Sequence, residues 1–245
     1  MSEPLDPYRT PSAPPPPPGP PAVGVRPGLP WDREKTGNAF LETVKRLITM
    51  PVEAFREARQ KGDYASPLIF GVVLVTLATV VGQLWSLLFG TAWVDVIGAN
   101  LPPESRGFLE QMGAPTLGGV LFALILAPFL AVIWLFVWSG IVHLFLLMVG
   151  GTRDSVAGFE GSLRVISYSS VSNLAALVPF VGGLIQFVWG IILQILGIAE
   201  LHQTSRGKAA LAVLLPLVLC CLCGVALGVM FGAALFAAIT GAANQ

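Results

Sequence analysis

Few side chains in the apolar parts of this sequence could do chemistry, and their spacing ties helices together more readily than it builds an active site. His143 is the one histidine inside an apolar run. Ser139 lies one turn earlier on the same helix, which predicts a hydrogen bond satisfying both. A serine nucleophile needs its base on an element that can flank a substrate, and this pair offers no such geometry. Asn173 and Gln186, with Gln83 and Gln194, are uncharged amides in or near apolar runs. Such groups typically join helices for about 0.6 kcal/mol each, and they could also line a solute pathway. No carboxylate sits midway along an apolar run to carry a proton or cation. Cys220, Cys221 and Cys223 crowd into the last apolar run without partners for a disulfide or a zinc site, so they read as small hydrophobes. There is no Walker A loop, HExxH or GxSxG. The expectation is a non-enzymatic protein with no catalytic residue, no cofactor and no metal site.

Composition explains why these groups are scarce. Of 245 residues 54% are hydrophobic and 11% charged, against roughly 25% charge in soluble domains; mean hydropathy is +0.75. Lys plus Arg and Asp plus Glu balance at 14 each, so no basic field exists to hold a nucleic acid. Leu117 to Val149 and Ala209 to the C-terminus carry no charged side chain, and each exceeds the ~20 apolar residues needed to cross a bilayer. The partner these runs demand is lipid. Residues 1–30 hold 12 prolines and no apolar core, which excludes a signal peptide there and predicts a disordered polyproline-type arm. That arm reads as a steric spacer or a ligand for an aromatic-lined groove.

The chain divides into three regions: the arm at 1–30, an amphipathic helical segment at 31–66 and a membrane domain at 67–240. In the second, Phe40, Val44, Leu47 and Phe55 recur at helical spacing among charged residues, and Pro51 should divide the segment into two helices. Two placements suit it. It could lie on the membrane with those four side chains in the acyl boundary, or pack as a hairpin on the loops of the bundle. Spans are predicted over 67–89, 117–149 and 209–239, with kinks at Pro128 and Pro216. Residues 163–199 are interrupted at Pro179 to Gly183 and read as two short spans or as a re-entrant hairpin. The fold class expected is thus an all-α bundle of about five transmembrane helices.

Nine Lys and Arg residues, among them Lys45, Arg56, Arg153 and Lys208, fall on one side of this arrangement and Arg106 alone on the other. By the positive-inside rule the N-terminus is cytoplasmic and the C-terminus external. Gly224, Gly228 and Gly232 form overlapping GxxxG steps, and Gly183, Gly190 and Gly197 repeat every seven residues. Both are smooth faces for close helix approach, within the chain or across a homodimer seam.

The order of motifs resembles the Yip family, five-span membrane proteins named for interacting with Ypt/Rab GTPases, and its bacterial branch in particular. The resemblance rests on FLETVKRLITMPVEAF (40–55), GDYASPLIFG (62–71), Gly150-Gly151, SLRVISYSS (162–170), VPFVGG (178–183) and LGIAELHQTSRGKAALAVLLP (196–216). It implies five spans, a cytoplasmic N-terminus and, in eukaryotic members, ER and Golgi traffic through a Rab-type GTPase. The DLYGPFW motif of those members is absent, and ten Arg against four Lys fits a GC-rich bacterial genome and a plasma membrane location. The function expected is that of a membrane-organising protein or a scaffold for membrane-protein partners, with a channel or carrier for a small or lipidic solute as the alternative. A polar cavity lined by His143, Asn173 or Gln186 would favour the second, and a dry bundle the first.

Overall fold

The computed structural model describes residues 26–99 and 116–243. The proline-rich segment through residue 25, the segment carrying Arg106 and the terminal Gln245 lie outside the described residues, within which every regular element is helical. Helix α1 (Pro30–Arg33) begins on a proline, whose missing N–H costs nothing in a first turn. Thr36 caps α2 (Gly37–Thr49) by accepting from the Ala39 N–H at 3.2 Å. Met50, at φ −140° and ψ 61°, ends α2, and α3 (Pro51–Glu57) starts on the proline, because the residue before a proline is pushed out of helical geometry.

The long helices are α4 (Ala65–Gly98), α5 (Leu117–Met148), α7 (Gly182–Leu201) and α8 (Arg206–Ala243). Four stretches, Ala65–Gly90, Leu117–Met148, Gly182–Leu201 and Arg206–Met230, are long and apolar enough to cross a membrane. Pro128 and Pro216 lie inside helices that continue past them. Between α5 and α7 runs a different element. Helix α6 (Gly158–Ser169) passes into a 3-10 helix at Ser170–Leu177, and every residue from Glu160 to Ser169 is buried. Serine and asparagine side chains compete for nearby backbone groups; Ser170 Oγ, for one, donates to the Ile166 carbonyl at 3.3 Å. Eight residues of 3-10 helix are unusually many. Phe180, at φ 66°, turns the chain back into α7.

One core unites these parts. Leu29, Leu47, Ala54 and Phe55 share it with Phe70, Leu74, Leu163 and Leu193. Trp31, Phe40, Phe70 and Tyr168 run through it in successive ring contacts of 5.4, 4.7 and 5.1 Å, linking α1, α2, α4 and α6. This corrects the lipid-facing reading of the amphipathic segment: Leu47 and Phe55 are fully buried, and Phe40 and Val44 are half-buried against the same core. A helix stripe beside a ready apolar core saves more surface there than at an interface that stays partly wet. The outward face of α2 carries Leu41 and Ile48 instead, 65% and 45% exposed.

The glycines divide sharply. A Cβ at Gly197 would come within 2.6 Å of Val165 and 3.0 Å of Phe55, one at Gly190 within 3.0 Å of Ser172 Oγ, and one at Gly182 within 2.2 Å of the Ala175 carbonyl. Gly183, Gly224, Gly228 and Gly232 meet nothing within 4 Å. The GxxxG stripe of α8 therefore serves no packing contact among the described residues. Gly197→Leu should lower folded yield and the melting temperature in detergent, overpacking typically costing about 1–3 kcal/mol. Gly228→Leu should melt as the wild type does, and a changed oligomer size in that variant alone would mark the stripe as a seam between copies.

Candidate functional site

At the end of the bundle where α4, α6 and α8 begin, the chain buries a charge. Arg164 on α6 is fully enclosed, and a guanidinium away from water is tolerated only when paired and hydrogen-bonded. Its Nη1 donates to Asp32 Oδ1 at 2.7 Å, and its Nη2 to the Asp63 carbonyl at 2.7 Å and to Glu160 Oε1 at 3.3 Å. Tyr168 Oη donates to the same Asp32 oxygen at 2.5 Å, and the Leu29 N–H to the other at 3.0 Å. Glu160 Oε1 also accepts from the Asp63 N–H at 2.8 Å. The Asp63 carboxylate meanwhile starts α4, accepting from the N–H groups of Ala65 and Ser66 at 2.9 and 3.1 Å and from the Ser66 hydroxyl. Burial opposes ionisation of Asp63, but the bonds from Ser66, the charge of Lys35 and the Ala65 N–H together hold this carboxyl below its ordinary range. Arg26 donates to the carbonyls of Phe55 and Glu200, and Arg56 pairs with Glu200 at 3.0 Å. Residues 26–63 thus form a cap clamped across the helix ends.

Beside the clamp runs a chain of alternating imidazoles and hydroxyls. Ser162 Oγ lies 2.9 Å from His143 Nδ1 and 3.0 Å from His202 Nε2, and Ser155 Oγ lies 2.9 Å from His202 Nδ1. A hydroxyl holds one proton, so Ser162 donates to one ring and accepts from the other. Ser139 does not take part. It donates to the Leu135 carbonyl at 2.5 Å, which corrects the expected pairing with His143: the carbonyl one turn back is nearer than the ring ahead. Ser162 and His202 are wholly buried. Burial, and after it the neighbouring His143 ring, pushes His202 down to about 4.

Further along the helices the bundle opens into a groove of about 680 Å³ between α4, α5, the 3-10 helix and α7, with Leu217 of α8 at one wall. Asn173 and Gln186 line it and bond to each other, Gln186 Nε2 donating to Asn173 Oδ1 at 2.6 Å. Gln194 accepts from Trp138 Nε1 at 3.0 Å. Ser169 is also among the lining residues, but its Oγ is buried out of solvent's reach and has no hydrogen-bond partner. His143 is not among the lining residues, so of the three intramembrane polar candidates the structure brings two together and sends the third to the Ser162 chain. Cys220, Cys221 and Cys223 are free and exposed. No cluster of three or more His, Cys, Asp or Glu able to hold a metal occurs among the described residues.

Long apolar helices around a buried polar one define the class: this is an all-helical integral membrane protein. Residues 45–228 match the family model of the Yip1 domain, and the chain belongs to that family. No curated protein and no solved structure matches it.

Sequence reasoning does not single out Asp32, Glu160, His202, Ser155, Ser162 or Ser169. One signal is present: Arg164 sits among apolar residues in SLRVISYSS and needs a counter-ion, with Glu160 one turn before it. Nothing in the sequence pairs it with Asp32, 132 positions away.

Arg164→Met leaves Asp32 and Glu160 buried without their cation and should destabilise the protein by roughly 3–5 kcal/mol. Arg164→Met combined with Asp32→Leu should melt higher than Arg164→Met alone. Acid should act through His202 with a definite sign. Its unfolded value is about 6.5 and its folded value about 4, so between those limits the unfolded chain takes up a proton that the folded chain refuses. Stability should therefore fall as pH drops from about 6.5 to about 4, by up to about 3 kcal/mol. Melting curves of wild type and His202→Asn across that window would show it, with the dependence flattened in the variant.

Proposed function

We propose that this protein is a non-enzymatic Yip-type membrane protein, of bacterial type and resident in the plasma membrane, that organises the bilayer or scaffolds membrane partners through its clamped cap. The family is not known as enzymatic. The observation that carries the reading is the buried Arg164–Asp32 pair at 2.7 Å. A cap held by a desolvated ion pair is a fixed platform, and its outward face still offers Leu41 and Ile48 beside Lys45.

Five spans and a cytoplasmic cap complete the proposal. Support for the fifth span comes from length: 12 residues of α6 at 1.5 Å and eight of 3-10 helix at 2.0 Å extend about 34 Å, enough for a ~30 Å hydrocarbon core. Its serines and its charge pair are tolerable because protein, not lipid, surrounds it. Support for orientation comes from neighbours at one end of the bundle: Asp63 meets Glu160, Ser155 meets His202, and Lys208 reaches the Gly150 carbonyl at 3.1 Å. Those ends carry Arg56, Arg153, Arg206 and Lys208, the side that the positive-inside rule assigns to the cytoplasm. A second reading, a carrier for a small or lipidic solute, is favoured by the groove, which sets Asn173 and Gln186 in a mostly apolar lining.

In cells whose protein lacks the three native cysteines, Ala99→Cys should react with an impermeant maleimide from outside, whereas Gly37→Cys and Val156→Cys should react only after permeabilisation. Reaction of position 156 in intact cells would reverse the orientation. For the platform, Leu41→Ser with Ile48→Ser should abolish cross-links formed from position 45 in native membranes without lowering the melting temperature. Cross-links that survive this double change would remove the cap as the docking face.

A further inference from the structure

The groove is more than a gap between helices, and the polarity of its lining specifies what it can hold. We propose that it binds the head of an uncharged, hydroxyl-bearing glycerolipid of the diacylglycerol type, taken sideways from the bilayer. The inference is independent of the cap and of its partners.

Depth comes first. Trp138 lies ten residues before the end of α5 at Met148, and Gln186 lies 15 before the end of α7 at Leu201, about 15 and 22 Å of helix rise. Gln186 is also only four residues from the start of α7 at Gly182, so the groove runs from the middle of the bundle at Trp138 to its far end, and in its inner part an unsatisfied polar group costs several kcal/mol. Yet polar groups collect there. The hydroxyl of Ser169, 2% exposed, has no partner. Ser172 and Thr79 join the lining, and Asn173 and Gln186 spend one donor and one acceptor on each other, leaving amide capacity free on both. Amides with spare donors and acceptors are what a ligand with both functions, such as a glycerol hydroxyl next to an ester carbonyl, would satisfy.

Charge then narrows the class. No Asp, Glu, Lys, Arg or His lines the groove, and an ionised phosphate, carboxylate or ammonium there would lack the counter-charge that burial demands. The head must be neutral. The groove's size of about 680 Å³ lies within the roughly 300–1,000 Å³ common for small-molecule sites, room for a head and the first carbons of its chains. The rim supplies the route. Trp134 and Phe187 line the groove and are 58% and 56% exposed, so α5 and α7 present an apolar edge through which acyl chains can remain in the bilayer. A water-soluble solute would have no use for that edge.

The test is photolabelling of the full chain in phosphatidylcholine nanodiscs with a diazirine-bearing diacylglycerol. Adducts should map to α5 near Trp134 and to α7 between Gly183 and Gln194. Unlabelled diacylglycerol should compete, whereas phosphatidic acid of the same chains and free glycerol should not. Gly82→Phe fills the groove from a position whose Cβ meets nothing within 4 Å; it should cut labelling about tenfold with the melting temperature unchanged. Gln186→Leu should cut it about fivefold, one hydrogen bond being worth about 1 kcal/mol. Equal competition by phosphatidic acid would overturn the neutral-head assignment, and competition by glycerol the lipidic one. Labelling spread evenly over α8, or unmoved by Gly82→Phe, would mean ordinary boundary lipid and would overturn the site.

Discussion

The fold turns on the requirement that a guanidinium inside a membrane protein be neutralised and hydrogen-bonded. Arg164 is placed by α6 in the middle of the packed elements, and water is not there to solvate it. Asp32, Glu160 and the Asp63 carbonyl take up the charge, and each comes from a different part of the chain. Asp32 brings α1 and hence the cap, Asp63 fixes the first turn of α4, and Glu160 is the preceding turn of α6 itself. Removing the pair as a unit would leave an apolar contact; removing one member leaves an uncompensated charge. The ion pair is thus weak evidence of stability and strong evidence of specificity, since few other registers of residues 26–63 would put a carboxylate within 2.7 Å of Nη1.

The cap shows how that requirement reassigns an amphipathic helix. Hydrophobic spacing along 37–57 reads equally as a membrane-surface helix or as a packed one, because both bury one stripe and wet the other. What decides is the alternative surface on offer. Phe70 and Tyr168 present aromatic faces at the end of the bundle, and Phe40 reaches the first of these at 4.7 Å. With Asp32 drawn inward by Arg164 and Tyr168, the stripe of Leu47 and Phe55 lands on the core, and the residues left outward are Leu41, Lys45 and Ile48.

Much of this architecture is legible in the sequence. Apolar runs without charges locate α4, α5 and α8 to within a turn or so at the ends that insert, and Pro51 divides α2 from α3 where its chemistry requires. The Pro179 to Gly183 break separates the 3-10 helix from α7, and Asn173 does meet Gln186 at the groove. The remainder needs three dimensions. Spacing cannot tell a buried stripe from a lipid-facing one, as Leu47 and Phe55 show, nor a glycine in contact, as at Gly197, from one in open space, as at Gly228. Long-range pairings are beyond reach for the same reason: Asp32 with Arg164 and Ser155 with His202 join segments that no local period connects. Ser139 fails differently. Its nearest acceptor is a backbone carbonyl, which a search for side-chain partners passes over.

The clamp and the groove share one turn of helix. Tyr168 turns its hydroxyl to Asp32, and Ser169, the next residue, belongs to the lining of the groove. Successive residues on an α-helix point about 100° apart, so a single turn can serve two opposed surfaces only if the helix is enclosed on nearly all sides. That enclosure is what every buried residue from Glu160 to Ser169 records. It also explains why this element can carry serines and an ion pair: protein groups surround it along its length. The conversion to 3-10 geometry begins one residue later, at Ser170. The 3-10 stretch, whose hydrogen-bond geometry is poorer than that of an α-helix, therefore forms a wall of the groove, and the turn that carries the ion pair lies before it. The clamp and the groove wall are thus consecutive stretches of one segment, Tyr168 closing the first and Ser169 opening the second.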